Sequence, residues 1–282
     1  DIDNIMSFKL SDSSIEIISL NNQPEPFICL LSCLINQKPF IIFDFKLPQS
    51  FRNRYLQLLD HATLCPSGSF YILTSGTSGN PKLCCHSILS LFLAAKRSLE
   101  NMNLNDEAFL LSLSPSSMGG LMTIVKSLVS GLPLFISLSH WKRFLNDPYS
   151  LHLTLVPQQL SPLSECFPDK ASVTSILIGG DVVTPIQSSY LKSFNVPFSL
   201  SYGLTETCGQ VVASSFSTES SHPLFTLANV DLKRTETGSL MIATNTLAHG
   251  YLSDTGLLPI LNNDGYFLTN DLVQLDPFQY VG

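Results

Sequence analysis

Thr74-Ser75-Gly76-Thr77-Ser78-Gly79-Asn80-Pro81-Lys82 is a hydroxyl- and glycine-rich loop set between Phe70 to Thr74 and Lys82 to His86, which read as the strands entering and leaving it. Two glycines let the backbone approach an anion closely, four hydroxyls add donors and Lys82 supplies a point charge. Phosphate is the expected ligand. In a Walker-type loop the lysine follows glycine and precedes Ser or Thr, whereas here Pro81 precedes Lys82 and Leu83 follows it. Pro81 has no N–H and holds its neighbour extended. A solvated Ser/Thr/Gly linker would share this composition, but Lys82 and the flanking strands weigh against it.

Upstream, Ile15 to Leu20 is β-like, Pro26 to Ile35 is an apolar helix with proline near its first turn, and Phe40 to Phe45 is a buried strand. Arg52, Arg54, Asp60 and His61 mark a solvated connection with room for a helical turn. Downstream, Ser87 is positioned to cap a helix whose apolar face holds Ile88, Leu89, Leu91, Phe92, Ala95 and Leu99, a helix expected only to pack. Phe109 to Leu113 is a strand, followed by Ser114-Pro115-Ser116-Ser117-Met118-Gly119-Gly120-Leu121 and an amphipathic run to Val129. Strands at Leu134 to Leu138 and Leu151 to Val156 precede a helix after Pro157, running Gln158 to Cys166. Ser175 to Ile178 is an apolar strand ending in Gly179-Gly180, and Thr184-Pro185 opens another helix. A strand that stops at glycines beside a helix start leaves an open crevice, the usual ligand position in α/β sheets.

The 282 residues suffice for one large domain or two modest ones, and 44% apolar content fills a substantial core. Charged residues make up 13% with a net charge of -7, which leaves no basic face for nucleic acid or anionic lipid. The seven cysteines show no C-x-x-C spacing and read as buried thiols of a reducing, cytoplasmic compartment. Nothing at the start reads as a secretory signal. The uncharged span Ala108 to Val125 reaches membrane-crossing length, but its serines, Pro115, Gly119 and Gly120 suit a strand, a loop and a helix start instead, so no stable membrane insertion is expected.

The loop resembles the signature T-S-G-T-[TS]-G-x-P-K of the adenylate-forming superfamily of acyl-CoA synthetases, firefly luciferase and peptide-synthetase adenylation domains. Further resemblances follow in order. Tyr202-Gly203-Leu204-Thr205-Glu206 resembles the family's Y-G-x-T-E, and Leu247 to Tyr251 its G-Y turn. Asp264 to Asp271 resembles D-G-W-F-x-T-G-D, with Asn270 in place of the usual glycine. Tyr280-Val281-Gly282 resembles the lead-in to the family's hinge arginine. The resemblance implies an α/β fold of mixed sheets with flanking helices in layers, with residues 70–282 forming the AMP-binding core. Residues 1–69 match loosely as the N-terminal part of that large domain, and the small C-terminal lid would lie past Gly282.

It also implies the site. Thr74, Ser75, Gly76, Thr77, Ser78, Gly79, Lys82, Gly180, Asp181, Ser201, Tyr202, Gly203, Thr205 and Asp271 would bind nucleotide. Tyr202 would stack on adenine, Thr205 donate to the α-phosphate and Asp271 hold the ribose hydroxyls. Glu206 would carry Mg²⁺ and act with Thr205 and Lys82 in catalysis. Ser116, Ser117, Gly119, Gly120 and Gly179 would bind a small carboxylic acid, the two serines standing where relatives carry an aromatic or histidine corner. The implied chemistry uses ATP, Mg²⁺ and CoA: the acid attacks the α-phosphate to give an acyl-adenylate, and the CoA thiol then displaces AMP.

Three local strings, Leu153 to Leu160, Ile178 to Asp181, and Gly250-Tyr251 with Leu258 to Gly265, resemble the o-succinylbenzoate-CoA ligase branch of menaquinone biosynthesis. A ligase for another aryl or fatty acid, or a catalytically degenerate nucleotide-binding module, are the alternatives. A dicarboxylate substrate needs a buried cation or several donors for its second charge. Basic residues are scarce from Phe70 onward, so Ser116, Ser117 and backbone N–H groups are the expected donors.

Overall fold

The structure is a computed structural model describing residues 7–8, 15–20, 23–44, 46–59, 66–74, 81–102, 104, 107–136, 142–143, 150–167, 173–219 and 222–281. The chain opens with β1 (Ser7–Phe8), β2 (Ile15–Leu20), α1 (Pro24–Asn36), β3 (Phe40–Asp44), α2 (Gln49–Leu58), β4 (Ser69–Leu73), β5 (Leu83–Ser87) and α3 (Ile88–Glu100). Strands β2 to β5 alternate strictly. Ile18, Phe40, Ile42, Phe70, Ile72 and Cys84 face one core, while Ile15, Ile41, Phe43, Tyr71, Leu83 and Cys85 face another. Both faces of this sheet are therefore buried, which explains why its strands read as continuous apolar runs. α1 and α3 cover one face; α2 covers the other through Tyr55.

Three expectations change here. The connection carrying Arg52 and Arg54 is a full ten-residue helix, α2, with Arg52 Nε donating to the Leu47 carbonyl at 3.0 Å. Its apolar stripe is too short to stand out. Asp60 and His61 lie outside the described residues. Ser87 caps α3 as expected, its Oγ accepting from Leu89 N–H at 3.0 Å. Leu89 itself is 59% exposed, because it lies off the face that Ile88, Leu91 and Ala95 bury. α3 also does more than pack: Arg97 and Ser98 are buried on it and reach into the second sheet.

The second sheet uses β6 (Ala108–Leu111), β7 (Leu134–Ile136), β8 (Leu151–Leu155), β9 (Val173–Ile178), β10 (Phe198–Leu204), β11 (Gly209–Ser214) and β12 (Leu224–Thr226). Their order is β12-β11-β10-β9-β8-β6-β7, parallel from β7 through β10 and antiparallel beyond. Helix α4 (Met118–Ser130) packs between the two sheets, while α5 (Leu160–Ser164) and α6 (Pro185–Ser193) cover the outer face. A single turn of tighter helix at Pro157–Gln159 precedes α5, and Thr184 caps α6 with Gln187 in a capping box.

β13 (Val230–Arg234), β14 (Ser239–Thr244), β17 (Phe267–Leu275) and β18 (Phe278–Tyr280) make a small antiparallel sheet. Between them, β15 (Gly250–Ser253) and β16 (Gly256–Pro259) return to the first sheet, giving the order β1-β2-β3-β4-β5-β15-β16. The architecture is the expected layered α/β one. Ala108 to Val125 forms strand, turn and helix start, and no helix among the described residues is long and apolar enough to cross a membrane. The cysteines are less uniformly buried than expected: Cys33, Cys84, Cys85 and Cys208 are buried, Cys29 is half-buried and Cys166 is exposed, while Cys65 lies outside the described residues.

Candidate active site

A cleft of about 960 Å³ opens where the three sheets meet at the ends of β4, β9 and β10, and the start of α4. The hydroxyl- and glycine-rich loop reaches it through its two ends, Thr74 and Lys82. Thr74 N–H donates to the Lys82 carbonyl at 2.9 Å, and Lys82 N–H returns a bond to Thr74 Oγ1 at 3.1 Å, so the loop is closed at its base. Tyr55 of α2 anchors the same end, its hydroxyl donating to the Pro81 carbonyl at 2.8 Å. Ser75, Gly76, Thr77, Ser78 and Gly79 lie outside the described residues.

Thr205 and Glu206 enter the cleft on the turn joining β10 to β11. Gly203 is required just before it, since a Cβ there would stand 2.1 Å from the Gly209 carbonyl oxygen. Three successive turn carbonyls are held from outside: Thr205 by His86 Nε2 at 2.8 Å, Glu206 by Ala248 N–H at 2.8 Å, and Thr207 by Thr246 Oγ1 at 2.9 Å. Burial pushes His86 down to about 4, so it is the neutral Nε2–H tautomer that donates. Thr246 is held in turn by Arg97, whose guanidinium also donates to the Gln210 carbonyl and Thr244. The carboxylate of Glu206 accepts from the Tyr251 hydroxyl, and Lys82 Nζ sits 4.7 Å from the centre of the Tyr251 ring.

Asp271, on β17, lines the cleft from the small sheet and accepts from the Tyr202 hydroxyl at 2.6 Å. Burial, with Asp271 beside it, raises the Tyr202 phenol. Tyr202 packs against Phe278 at 5.5 Å and is not among the residues that line the cleft. Ser201, Gly203, Gly179 and Gly180 do line it.

Ser116, Ser117 and Gly119 also line the wall, but the serine hydroxyls are largely committed, Ser116 Oγ to Ser114 Oγ at 2.8 Å. Ser117 Oγ donates to the Ser114 carbonyl at 2.6 Å and caps α4 by accepting from Gly120 N–H at 3.2 Å. Gly120 is not in the wall, because it packs on the Ser114 carbonyl, where a Cβ would come within 2.1 Å. Asp181 also stays outside: Gly180, at φ +85°, turns the chain away, and Asp181 accepts from Gln158 at 2.6 Å and from Val182 N–H at 2.7 Å. The sequence reading missed Lys126. It shares a face of α4 with Gly119 and Met122, lines the cleft, is 2% exposed and lies 5.6 Å from the Phe109 ring. Burial alone lowers it to about 7, with no carboxylate among the described residues pairing with it. Asp44 and Tyr251 also line the cleft.

A profile of the AMP-binding enzyme family matches residues 60–252, more than half of the chain. The chain belongs to this family. Among curated relatives, the 2-succinylbenzoate-CoA ligase of Staphylococcus epidermidis is 28% identical over 232 residues, covering 74% of this chain and 47% of the relative. The chain spans about half the length of the curated relatives it matches. Wild-type E. coli MenE with a bound m phenylether-linked analogue of OSB-AMS superposes with TM-score 0.79 at 19% identity, over 94% of this chain and 66% of that one. MenE (o-succinylbenzoate coenzyme A synthetase) of Bacillus subtilis, in complex with ATP and magnesium ion, gives TM-score 0.74 at 18% identity, over 94% and 68%. The shared architecture is that of the AMP-binding fold, and Asp44 and Asp271 lie outside the span matched by the family profile.

The donor set fits a magnesium nucleotide. No group of three or more His, Cys, Asp or Glu among the described residues could hold an ion by itself. Mg²⁺ commonly takes one or two protein carboxylates and completes its shell with phosphate oxygens and water. Glu206 across from the Lys82 end of the loop offers that arrangement.

Proposed function

We propose that this chain forms the nucleotide and acid sites of an AMP-forming acid-CoA ligase whose substrate is an aromatic dicarboxylate of the o-succinylbenzoate type. The observation that carries the reading is Lys126, an amine buried in the wall of the cleft on the helix face of Gly119 and Met122, without a carboxylate partner among the described residues. Burying a lone ammonium is costly, and a substrate carboxylate is the group that would offset it. A fatty acid would press methylenes against that charge, which disfavours the long-chain alternative.

In this reading the loop ending at Lys82 holds the β- and γ-phosphates, Thr205 donates to the α-phosphate, and Asp271, oriented by Tyr202, accepts from the ribose hydroxyls. Glu206 would hold the Mg²⁺, which when bound neutralises charge on the triphosphate. Lys126 fixes the distal carboxylate so that the reacting one faces the α-phosphate. Attack yields acyl-adenylate and pyrophosphate, and CoA thiol then releases AMP. Ser116 and Ser117 shape the wall and are no longer needed as the principal donors. The free cysteines agree with a reducing cytoplasm as the place of action.

Calorimetric titration of o-succinylbenzoate into the AMP-loaded chain tests this. Lys126→Met should cost about 3 kcal/mol, about 100-fold in acid affinity, and leave AMP binding unchanged. Equal acid affinity in the two proteins would move the substrate class to a monocarboxylic acid.

A further inference from the structure

The candidate site contains a residue to which neither the fold nor the chemistry so far gives a role. Tyr251 touches both the cation and the carboxylate of the nucleotide site, although these lie far apart in the chain. Its strand places it there: β15 pairs antiparallel with β5 in the register Leu252↔Leu83 and Tyr251↔Cys84, which sets the ring beside Lys82 at the base of the phosphate loop. Just upstream, His249 N–H donates to the Cys85 carbonyl at 2.9 Å and Ala248 N–H to the Glu206 carbonyl at 2.8 Å. The same segment is thus stitched to the strand leaving the loop and to the turn bearing Glu206. From that position the ring lies under Lys82 Nζ at 4.7 Å, while the hydroxyl donates to Glu206 Oε1.

We propose that Tyr251 is a positioning residue, holding the Glu206 carboxylate and the Lys82 ammonium in fixed relation so that a metal-bound triphosphate meets both at once. This rests on the reading of Glu206 as metal-holding and Lys82 as phosphate-holding. With Oε1 engaged by the phenol, Oε2 accepts no hydrogen bond from the described residues and is the oxygen left for a cation. Partners that orient a ligating carboxylate in this way typically change metal affinity about 10- to 100-fold when removed. A phenol is ordinarily protonated at neutral pH, so the hydroxyl is the donor of this bond and the carboxylate its acceptor. Lys82 is exposed and has a long flexible stem, and the ring face limits where its charge can sit. A tyrosine serving only to fill space would be replaceable by phenylalanine without consequence. Here that replacement separates the two roles, since phenylalanine keeps the ring under Lys82 and removes the donor to Glu206.

The test titrates ATP at graded Mg²⁺, and AMP without metal, into the full chain by calorimetry. Tyr251→Phe should raise the Mg²⁺ midpoint for ATP binding about tenfold while AMP affinity stays within about twofold. Tyr251→Ala should show the same shift together with weaker metal-free ATP binding, which phenylalanine rescues. Glu206→Gln should abolish the Mg²⁺ dependence, and adding Tyr251→Phe to it should change nothing further. If Glu206→Gln loses the dependence but Tyr251→Phe keeps the wild-type midpoint, the role of Tyr251 is overturned and the reading of Glu206 stands. If Glu206→Gln keeps the dependence, the metal reading falls and this inference falls with it. Loss of AMP binding in Tyr251→Phe would show a merely structural role and would also overturn the proposal.

Discussion

Raising the pH through neutrality should loosen the acid and leave the nucleotide in place, because Lys126 must carry a proton to hold a carboxylate. Burial lowers its ammonium from 10.5 to about 7 in the empty cleft. A carboxylate at Nζ favours the charged form, so acid binding above pH 7 takes up a proton. At pH 6.5 most of the lysine is already charged, whereas at pH 8.5 the neutral form outweighs it about 30 to 1. Acid affinity should therefore fall about 25-fold between those values, with proton uptake approaching one per acid bound. His152, packed nearby, does not titrate in this window, since burial and the Lys126 charge hold it well below its ordinary value. The stability of the empty chain moves the other way. The unfolded chain binds more protons between pH 7 and 10.5, so stability rises across that range, and the burial penalty, on the order of 5 kcal/mol, is felt in full below pH 7. Titrations in two buffers of different ionisation heat count the protons, and urea unfolding of wild type and Lys126→Met at pH 6 and 9 reads the stability. Wild-type acid affinity that is flat from pH 6.5 to 8.5, or a Lys126→Met protein with the wild-type slope, would refute this assignment of charge.

Asp271→Asn should weaken AMP about 10- to 100-fold by replacing charge-assisted bonds to the ribose with neutral ones, and unchanged AMP affinity would remove Asp271 from the site. Gly203→Ala should destabilise the chain by about 3 kcal/mol in urea unfolding, because the new Cβ meets the Gly209 carbonyl and forces β10 from β11; a loss of unfolding free energy below about 1 kcal/mol would mean the hairpin relaxes freely.

The strands flanking the glycine-rich loop, the cap at Ser87 and the Thr184-Pro185 helix start could be read in the sequence because each is a local event with its own residue chemistry. The same holds for Thr205, Glu206 and Asp271, which sit in short motifs and reach the cleft. What escaped was set by tertiary contacts. Lys126 interrupts an apolar helix, and only the position of α4 between two sheets shows that the face shared by Gly119, Met122 and Lys126 borders a cleft. Tyr251 and Glu206 are brought together by the pairing of β15 with β5, a contact with no local signature. Asp181 follows the paired glycines in sequence as a cleft residue would, yet the left-handed Gly180 turns it outward. Tyr202 reads as a ring for adenine, while its hydroxyl is committed to Asp271.

A crystal structure of the chain with a non-hydrolysable o-succinylbenzoyl-adenylate mimic tests the central claim most directly, because one molecule must span both ends of the cleft. The ribose hydroxyls should lie on Asp271, the phosphate mimic beside Thr205, and the distal carboxylate within ion-pair distance of Lys126 Nζ. A mimic whose distal carboxylate points to solvent, with Lys126 still unpaired behind it, would contradict the account.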